Sequence, residues 1–265
     1  MVLAGRATGS EDLIHYEFPF TERIRTFLRL ENLYAKLDTL IADDHPLAHH
    51  QAILTLFEIL EGGSRADLKA DLLQELERQR QILNPFRNND AVDQVRLEQT
   101  LTELIKSAQA LAAIGGRIGQ SLRDNEWLML IRSRSNIPGG VCEFDLPSYH
   151  AWQHETTQFR REMLLQWAAP IRPLSEAIRV LMQFLRGSGE ATAQVATDGS
   201  FTQPLSGKAY QLARLTLPKS AQAIPEITAN KYMIWLRFNQ LGDYRDMRTR
   251  ATPGQFEFTL QLCTF

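Results

Sequence analysis

The spacing of apolar residues changes near Gly187, and this change constrains the fold more strongly than any other feature of the sequence. Before Gly187 the apolar residues recur every three or four positions, which is the period of an amphipathic helix. After it they alternate with polar residues, as in "QFEFTLQL", where every second side chain is apolar. Such alternation is typical of antiparallel strands with one face in water. Helices first and strands last predict an α+β fold, with an N-terminal helical domain followed by a mainly antiparallel β domain.

The same change of period sets the predicted domain boundaries. Residues 1–15 are mostly small or polar, and we predict that they form a disordered leader. The predicted helical domain then covers residues 16–187, and the predicted β domain covers residues 188–265. One strand-like stretch, residues 142–146, lies among the helices and is a candidate extra strand of the later sheet.

Composition limits the classes of function that the chain can serve. The 265 residues include 29 Lys+Arg and 31 Asp+Glu, and the formal net charge of −2 argues against nucleic-acid binding. No apolar stretch is long enough to cross a membrane, so we expect no membrane insertion. The chain has only two cysteines and no signal-peptide pattern at its N-terminus, so we expect a cytoplasmic protein without disulfides.

The charges are distributed unevenly along the chain. Residues 1–146 hold 16 basic and 22 acidic residues, a net charge of −6, whereas residues 147–265 hold 13 and 9, a net charge of +4. Between positions 200 and 240 there are five bases against one acid, Glu226. A local basic surface on an acidic protein favours an acidic peptide as the partner.

The segment "IPGGVCEFDLPSYHAWQH", residues 137–154, concentrates reactive side chains. Cys142 and His150 can form a thiolate–imidazole pair, as in a cysteine-dependent hydrolase, with Asp145 or His154 orienting the imidazole. His150 and His154 are also four residues apart, a spacing that can place two imidazoles on one metal ion. However, a third metal ligand has no support in the sequence, and a buried, inert cysteine is the commoner state of this residue. We therefore favour an architectural segment and expect no cofactor.

Arginines near the N-terminus are stronger candidates for a binding site. Arg25 and Arg29 are four residues apart, so they share one face of the first predicted helix. Glu22 precedes Arg25 by three residues and is its predicted ion-pair partner. Arg29 has no acid at a helical spacing, so we expect it to meet solvent, another element or a ligand.

A second group of cations surrounds a tryptophan in "KYMIWLRF". Strand alternation places Lys231, Met233, Trp235 and Arg237 on one face, which we predict to be exposed. The core face is predicted to consist of Tyr232, Ile234, Leu236 and Phe238. A solvated sheet surface is one interpretation of the first face. An aromatic residue flanked by two cations is also suited to a peptide with acidic and apolar residues.

Three blocks of the sequence resemble the ZapD family of bacterial cell-division proteins. They are "EFPFTERIRTFLRLE" near the N-terminus, "RIGQSLR" at 117–123 and "IPGGVCEFDLPSYHAW" at 137–152, in the family's order and spacing. The strand "NKYMIWLRF" also lies where a C-terminal family strand is expected. The resemblance covers the chain from about Tyr16, apart from the region "GEATAQVATDGS".

This resemblance implies a non-enzymatic, cytosolic homodimer at the midcell division site, with the helical domain as its dimerisation domain. The family resemblance also implies that the protein binds the C-terminal tail of the tubulin-like GTPase FtsZ through a basic pocket and cross-links FtsZ filaments into bundles. Two departures weaken this expectation, because Glu126 and Met233 stand where family members can carry basic residues. The alternatives are the hydrolase described above and an adaptor for another acidic peptide. The residues expected to contact the partner are Arg25, Arg29, Arg65, His150, Arg214, Lys231, Trp235 and Arg237.

Overall fold

The computed structural model of the chain describes residues 12–65, 67–241, 249–251 and 253–265. The α-helices in these ranges are α1 (Glu22–Ala42), α2 (Pro46–Gly62), α3 (Leu68–Leu83), α4 (Gln94–Ala112), α5 (Gln120–Arg123), α6 (Glu126–Ser135), α7 (Pro147–Gln153), α8 (Thr157–Ala168) and α9 (Arg172–Gly187). The strands are β1 (Leu13–Pro19), β2 (Ala191–Ala196), β3 (Ser200–Pro204), β4 (Leu212–Pro218), β5 (Ile224–Ala229), β6 (Met233–Leu241), β7 (Thr249–Ala251) and β8 (Phe256–Cys263). The predicted α+β class is confirmed, with helices followed by antiparallel strands.

Contacts between residues divide the chain into two compact units. The helical unit comprises residues 26–182. The β unit combines residues 183–265 with the first 25 residues, of which 12–25 are described. No helix among the described residues is both long and apolar enough to cross a membrane.

Strand β1 is the largest difference from the predicted domain boundaries. It pairs with β4, from Leu13 opposite Pro218 to Pro19 opposite Leu212. Residues 13–15, predicted to lie in a disordered leader, and residues 16–19, predicted to lie in the helical domain, thus join the β sheet. Their partner lies about 200 residues away in sequence, so the local pattern holds no sign of the pairing. The rest of the predicted leader, residues 1–11, lies outside the described residues.

Two antiparallel sheets enclose the core of the β unit. Their strand orders are β1-β4-β8-β2 and β3-β6-β5, with β7 beside the end of β6. Asp198 and Gly199 have φ angles of 49° and 66°, so they form a tight turn. The strands on either side of this turn nevertheless enter different sheets, because β2 pairs with β8 and β3 with β6. Side chains from both sheets share one apolar cluster that includes Leu215, Leu236, Phe238 and Phe258.

The helical unit is built around α2, whose Ile53, Leu56, Ile59 and Leu60 are at most 1% exposed. Its start is fixed by Pro46 at the first turn and by His45, whose Nδ1 accepts a hydrogen bond from the Leu47 amide at 3.2 Å. Side chains also cap three later helices. Asp93 caps α4, Asn125 caps α6 and Thr156 caps α8.

The glycine of "RIGQSLR" has a packing role. Gly119 has a φ of 70°, and a Cβ atom added there would lie 2.0 Å from Cδ2 of Leu60. Only glycine permits this backbone conformation so close to a core leucine. The block therefore fixes how α5 packs on α2.

Segment 137–154 forms turns followed by the start of α7 and differs in one detail from the prediction. Gly140 closes a turn with Ile137, and a Cβ atom there would lie 2.4 Å from the Arg134 carbonyl oxygen. Residues 142–146 form turns, so the predicted extra strand is wrong. The whole segment lies inside the helical unit.

A basic and aromatic pocket in the β unit

A pocket of about 590 Å³ opens in the β unit where β1 ends and α1 begins. One side is formed by Phe18, Pro19 and Phe20, and the others by the β3–β4 loop and the β5–β6 turn. The lining residues are Phe18, Pro19, Phe20, Arg25, Leu205, Gly207, Lys208, Ala209, Tyr210, Ala229, Asn230, Lys231 and Tyr232. We call this site the basic pocket.

Local turn chemistry fixes the two loops of the basic pocket. Ser206 and Gly207 both have positive φ angles, of 50° and 72°, which reverse the chain after β3. In the β5–β6 turn the Asn230 side chain accepts hydrogen bonds from the amides of Tyr232 at 2.8 Å and Met233 at 3.0 Å. The Leu205 amide donates to the Tyr232 carbonyl at 2.7 Å, so the two loops are joined directly.

Three cations line the basic pocket, and no carboxylate is among its described lining residues. Lys208 and Lys231 are exposed. Arg25 Nε lies 3.2 Å from a carboxylate oxygen of Glu22, which confirms the predicted ion pair. Because both side chains of this pair are more than 40% exposed, the pair is weak, and Arg25 can exchange it for another anion. The pocket therefore favours ligands with negative charge.

Aromatic rings give the basic pocket its apolar character. Phe18 and Phe20 pack edge to face, with ring centroids 5.7 Å apart. Lys231 Nζ lies 4.6 Å from the ring centroid of Tyr232, a cation–π contact, and Tyr232 is 59% exposed. Together these groups suit a peptide that carries both carboxylates and apolar side chains.

The predicted faces of "KYMIWLRF" are partly confirmed. Ile234, Leu236 and Phe238 are buried, while Trp235 and Arg237 are exposed. Tyr232 was wrongly assigned to the core, because β6 begins only at Met233 and the preceding residues belong to a turn. Alternation holds only within a strand, so it cannot place residues of the turn.

Arg237 and Trp235 lie on the exposed face of the β3-β6-β5 sheet and do not line the basic pocket. Arg237 is directly opposite Glu226 on β5, a cross-strand neighbour of opposite charge. Trp235 is 39% exposed between Thr202 and Thr228. The predicted group of Lys231, Trp235 and Arg237 is thus divided between two surfaces.

Arg214 belongs to a half-buried ion network on the first sheet. Its Nε lies 2.9 Å from Oε1 of Glu17, and Arg186 donates two hydrogen bonds of 2.8 Å to the same carboxylate. Burial raises the pKa of Glu17, but the hydrogen bonds and charge of Arg186, with Arg214, outweigh burial and hold this pKa below its ordinary value. Arg214 therefore already has an internal partner that fixes β1 to β4.

The other predicted contact residues lie elsewhere. Arg29 is exposed on α1, and Arg65 donates a 2.8 Å hydrogen bond to the Thr26 hydroxyl. His150 lies in the helical unit beside His154, with ring centroids 4.4 Å apart. In addition, Nδ1 of His154 lies 2.9 Å from the His150 carbonyl oxygen. Neither contact involves Cys142, which is partly exposed in the turns before α7.

Lys208 and Tyr210 are pocket residues that we did not predict from the sequence. Lys208 was counted in the basic excess between 200 and 240, but no pattern set it apart from the other bases. The adjacent Ser206–Gly207 turn was the available signal, because it separates two strands and exposes the residues that follow. Tyr210 could be assigned to the β3–β4 loop only once β4 was known to begin at Leu212.

Comparison with known proteins gives one consistent family. Residues 28–237 match the family described as "ZapD: Cell division protein". The chain is 50% identical over 253 residues to "Cell division protein ZapD" of Janthinobacterium sp. (strain Marseille), and 50% identical over 254 residues to the protein of that name from Cupriavidus metallidurans. It is 48% identical over 254 residues to the same-named protein of Ralstonia pickettii. Each alignment covers 96% of this chain and 100% of the relative. The chain therefore belongs to the ZapD family of cell division proteins.

Proposed function

We propose that this protein is a non-enzymatic division factor that binds the C-terminal tail of FtsZ in the basic pocket. As a homodimer it cross-links FtsZ filaments into bundles at midcell, in the cytoplasm. The family membership supports a role in cell division. The observation that carries the finer proposal is the pocket itself, with three cations, four aromatic rings and no carboxylate among its described lining residues.

The chemistry of the basic pocket matches an acidic and apolar peptide better than a small reactive substrate. Its cations project from exposed loops, where they can pair with carboxylates of a flexible partner. Each charge-assisted hydrogen bond contributes about 1.5–3 kcal/mol, so two or three such bonds and an aromatic contact give a weak to moderate single-site affinity.

Cross-linking requires two sites in one particle, and a dimer supplies them. The candidate dimer face is a groove of about 960 Å³ between α4 and α9, within the helical unit. Its lining combines Val95, Ala110 and Val180 with polar and charged residues such as Glu98 and Lys106, and Val95 is 69% exposed. Covering this face with a second copy would remove apolar surface from water. Two tails held by one dimer then bridge two filaments, and multiple tails raise the avidity by about 10² or more.

The tail-binding proposal is tested with Lys231→Glu and its matched control, Arg237→Glu. Both substitutions reverse one exposed charge, but only Lys231 lines the basic pocket. We expect Lys231→Glu to weaken binding of an FtsZ tail peptide by at least about tenfold in fluorescence anisotropy, and Arg237→Glu to change it by less than about threefold. Raising the salt to 1 M, where the screening length is about 3 Å, should weaken wild-type binding too. Equal affinities for both variants and the wild type would remove the basic pocket from the proposal.

The bundling proposal is tested at the α4–α9 groove. Val95→Glu with Ala110→Glu places charges on an exposed apolar surface and should yield a monomer in sedimentation. This monomer should bind the tail peptide normally but no longer bundle polymerised FtsZ in light scattering. A demonstrated monomer that still bundles filaments would refute the bivalent mechanism.

The two alternative functions make different predictions. A cysteine-dependent hydrolase would lose its activity in Cys142→Ser, whereas a cross-linker would keep bundling filaments. An adaptor for a different acidic peptide would fail to co-sediment with polymerised FtsZ. Co-sedimentation of the wild-type protein with FtsZ polymers is therefore the first measurement to make.

A further inference from the structure

Strand β2 is the outer strand at one end of the four-stranded sheet that contains β1. In the part of the chain that the structure describes, this sheet has the order β1-β4-β8-β2, and β2 pairs with β8 alone. A single bridge between Thr197 and Ser200 lies just beyond its end. The side chains of Ala191, Ala193 and Val195 are exposed, that of Val195 by 50%. β2 therefore offers an accessible strand edge.

Hydrogen bonds at the two ends of β2 show which of its backbone groups point away from β8. The Thr197 amide donates to the Ser200 carbonyl at 3.0 Å, and the Ser200 amide donates to the Thr197 carbonyl at 2.9 Å, so Thr197 bonds to β3 rather than to β8. At the other end, the amide of Thr264 donates to the Ser188 hydroxyl at 3.1 Å, so the even-numbered residues face each other. Because these directions alternate along a strand, the odd-numbered β2 residues point outward. The outward amides and carbonyls are those of Ala191, Ala193 and Val195.

Among the described strands, leaving aside the short β7, each of the other outer strands carries a proline on its free side. The amides of Phe20, Leu205 and Asn230 bond toward the neighbouring strand, which fixes the alternation of β1, β3 and β5. The outward positions of these strands then include Pro19, Pro204 and Pro225. Proline has no amide hydrogen and so protects an edge from further pairing. β2 contains neither a proline nor a charged residue, so it lacks this protection.

The sequence of β2 is complementary to itself in an antiparallel pair. Centring the pair on Ala193 is the register that uses all three outward residues of both copies, with Ala193 opposite Ala193 and Val195 opposite Ala191. In this register Thr192 lies opposite Gln194 of the second copy, and within one copy these two side chains already form a 3.1 Å hydrogen bond. Since the strand carries no charge, like charges do not oppose each other within the pair. A second copy of this chain is therefore a fitting partner for the edge.

We propose that β2 pairs with β2 of a second copy of this chain, antiparallel and centred on Ala193. Each of the opposed outward residue pairs would exchange two backbone hydrogen bonds, and the two four-stranded sheets would become one continuous sheet. This contact is separate from the α4–α9 groove, the candidate dimer face, so it would connect one such dimer to the next. The strand pairing does not depend on the proposed binding of FtsZ and is measured without FtsZ.

Cysteine cross-linking of the full chain tests the register. Cys142, which is partly exposed, is first replaced by serine, while Cys263 is buried and stays. Ala193→Cys then places two thiols opposite each other, with Cα atoms about 5.5 Å apart, a distance that a disulfide spans. In the matched control, Val195→Cys, the two copies of the residue would be about 14 Å apart. Under mild oxidation, Ala193→Cys should give at least about tenfold more covalent dimer than Val195→Cys on a non-reducing denaturing gel. Equal cross-linking by the two variants would overturn the register.

Charge substitutions measure the same contact without a covalent bond. Ala193→Lys places two ammonium groups opposite each other, whereas an equimolar mixture of Ala193→Lys and Ala193→Glu pairs opposite charges. Ala193 is exposed, so both variants should keep the wild-type circular dichroism spectrum. In sedimentation velocity, each variant alone should need at least about threefold higher concentration than the mixture to form its larger species. Identical association of the wild type, both variants and the mixture would overturn the pairing and leave the edge to a strand of a different protein.

Discussion

Removing the buried guanidinium of Arg160 should destabilise the helical unit strongly. Arg160 lies on α8 and is 4% exposed. It donates hydrogen bonds to the carbonyl oxygens of Asp44 at 2.9 Å, of Gln153 at 3.2 Å and of Glu155, and its Nε donates to Nδ1 of His49 at 3.0 Å. One side chain thus holds together the α1–α2 loop, the end of α7 with the residues after it, and the buried His49 of α2.

The substitution Arg160→Met keeps much of the apolar stem and removes all the donors. Three part-buried carbonyl oxygens and the buried Nδ1 of His49 then lose a partner, and each unsatisfied group costs about 1–3 kcal/mol where water does not reach it. These costs are not additive, because the site relaxes and water enters it. We therefore expect the free energy of unfolding to fall by about 3–5 kcal/mol, with a melting temperature about 6–20 °C lower.

The neighbouring arginine is the matched control. Arg161 also donates to backbone carbonyls, those of Ile41 and Ala42 at 3.0 Å, but its side chain is 35% exposed. Water can replace its contacts, so Arg161→Met should cost about 1 kcal/mol. Urea unfolding followed by tryptophan fluorescence reports on this unit, since Trp127, Trp152 and Trp167 cluster there with ring centroids 5.5–6.0 Å apart. Equal losses in the two variants would refute the argument from burial.

Two further predictions concern the same unit. Burial, and then the charge of Arg160, lower the pKa of His49, so the unfolded state binds more protons than the folded state below about pH 6.5. The free energy of unfolding should therefore fall from pH 7 to pH 5. In urea titrations, His49→Gln should reduce this pH dependence. Gly119→Ala should lower the free energy of unfolding by about 2–5 kcal/mol in the same assay, because the backbone there is left-handed and the added Cβ atom overlaps Leu60. Gly116→Ala, with a φ of 67° and open space around it, should cost only about 1–2 kcal/mol, and a similar loss in both variants would exclude the packing role.

Strand alternation predicted the burial of β6 correctly wherever the strand is regular. Ile234, Leu236 and Phe238 are buried and Arg237 is exposed, because the register of a strand fixes which face each side chain takes. The same argument failed at Tyr232, since strand ends depend on the turn chemistry of Asn230. Whole elements are therefore more predictable than their boundaries.

The basic pocket was only partly predictable for a different reason. Arg25 and Lys231 were predicted as contact residues, and both line it, but Arg214 and Arg237 were predicted with equal support and lie elsewhere. Charge in a sequence does not say whether a cation has an internal partner. Glu17, which engages Arg214, belongs to a strand whose pairing was not visible from the sequence.

The sequence by itself determined the α+β class, the helical character of most of the chain before Gly187, and the family, because these depend on local periodicity and on motifs read in order along the chain. Only the tertiary structure decided that β1 joins the distant β4, that β2 and β3 enter different sheets, and that three separate segments meet at the basic pocket. Pairing between remote strands depends on which edges and faces remain to be covered once the whole chain has collapsed. This pairing of remote strands places Lys208 and Lys231 in the same pocket and leaves Arg237 on another surface.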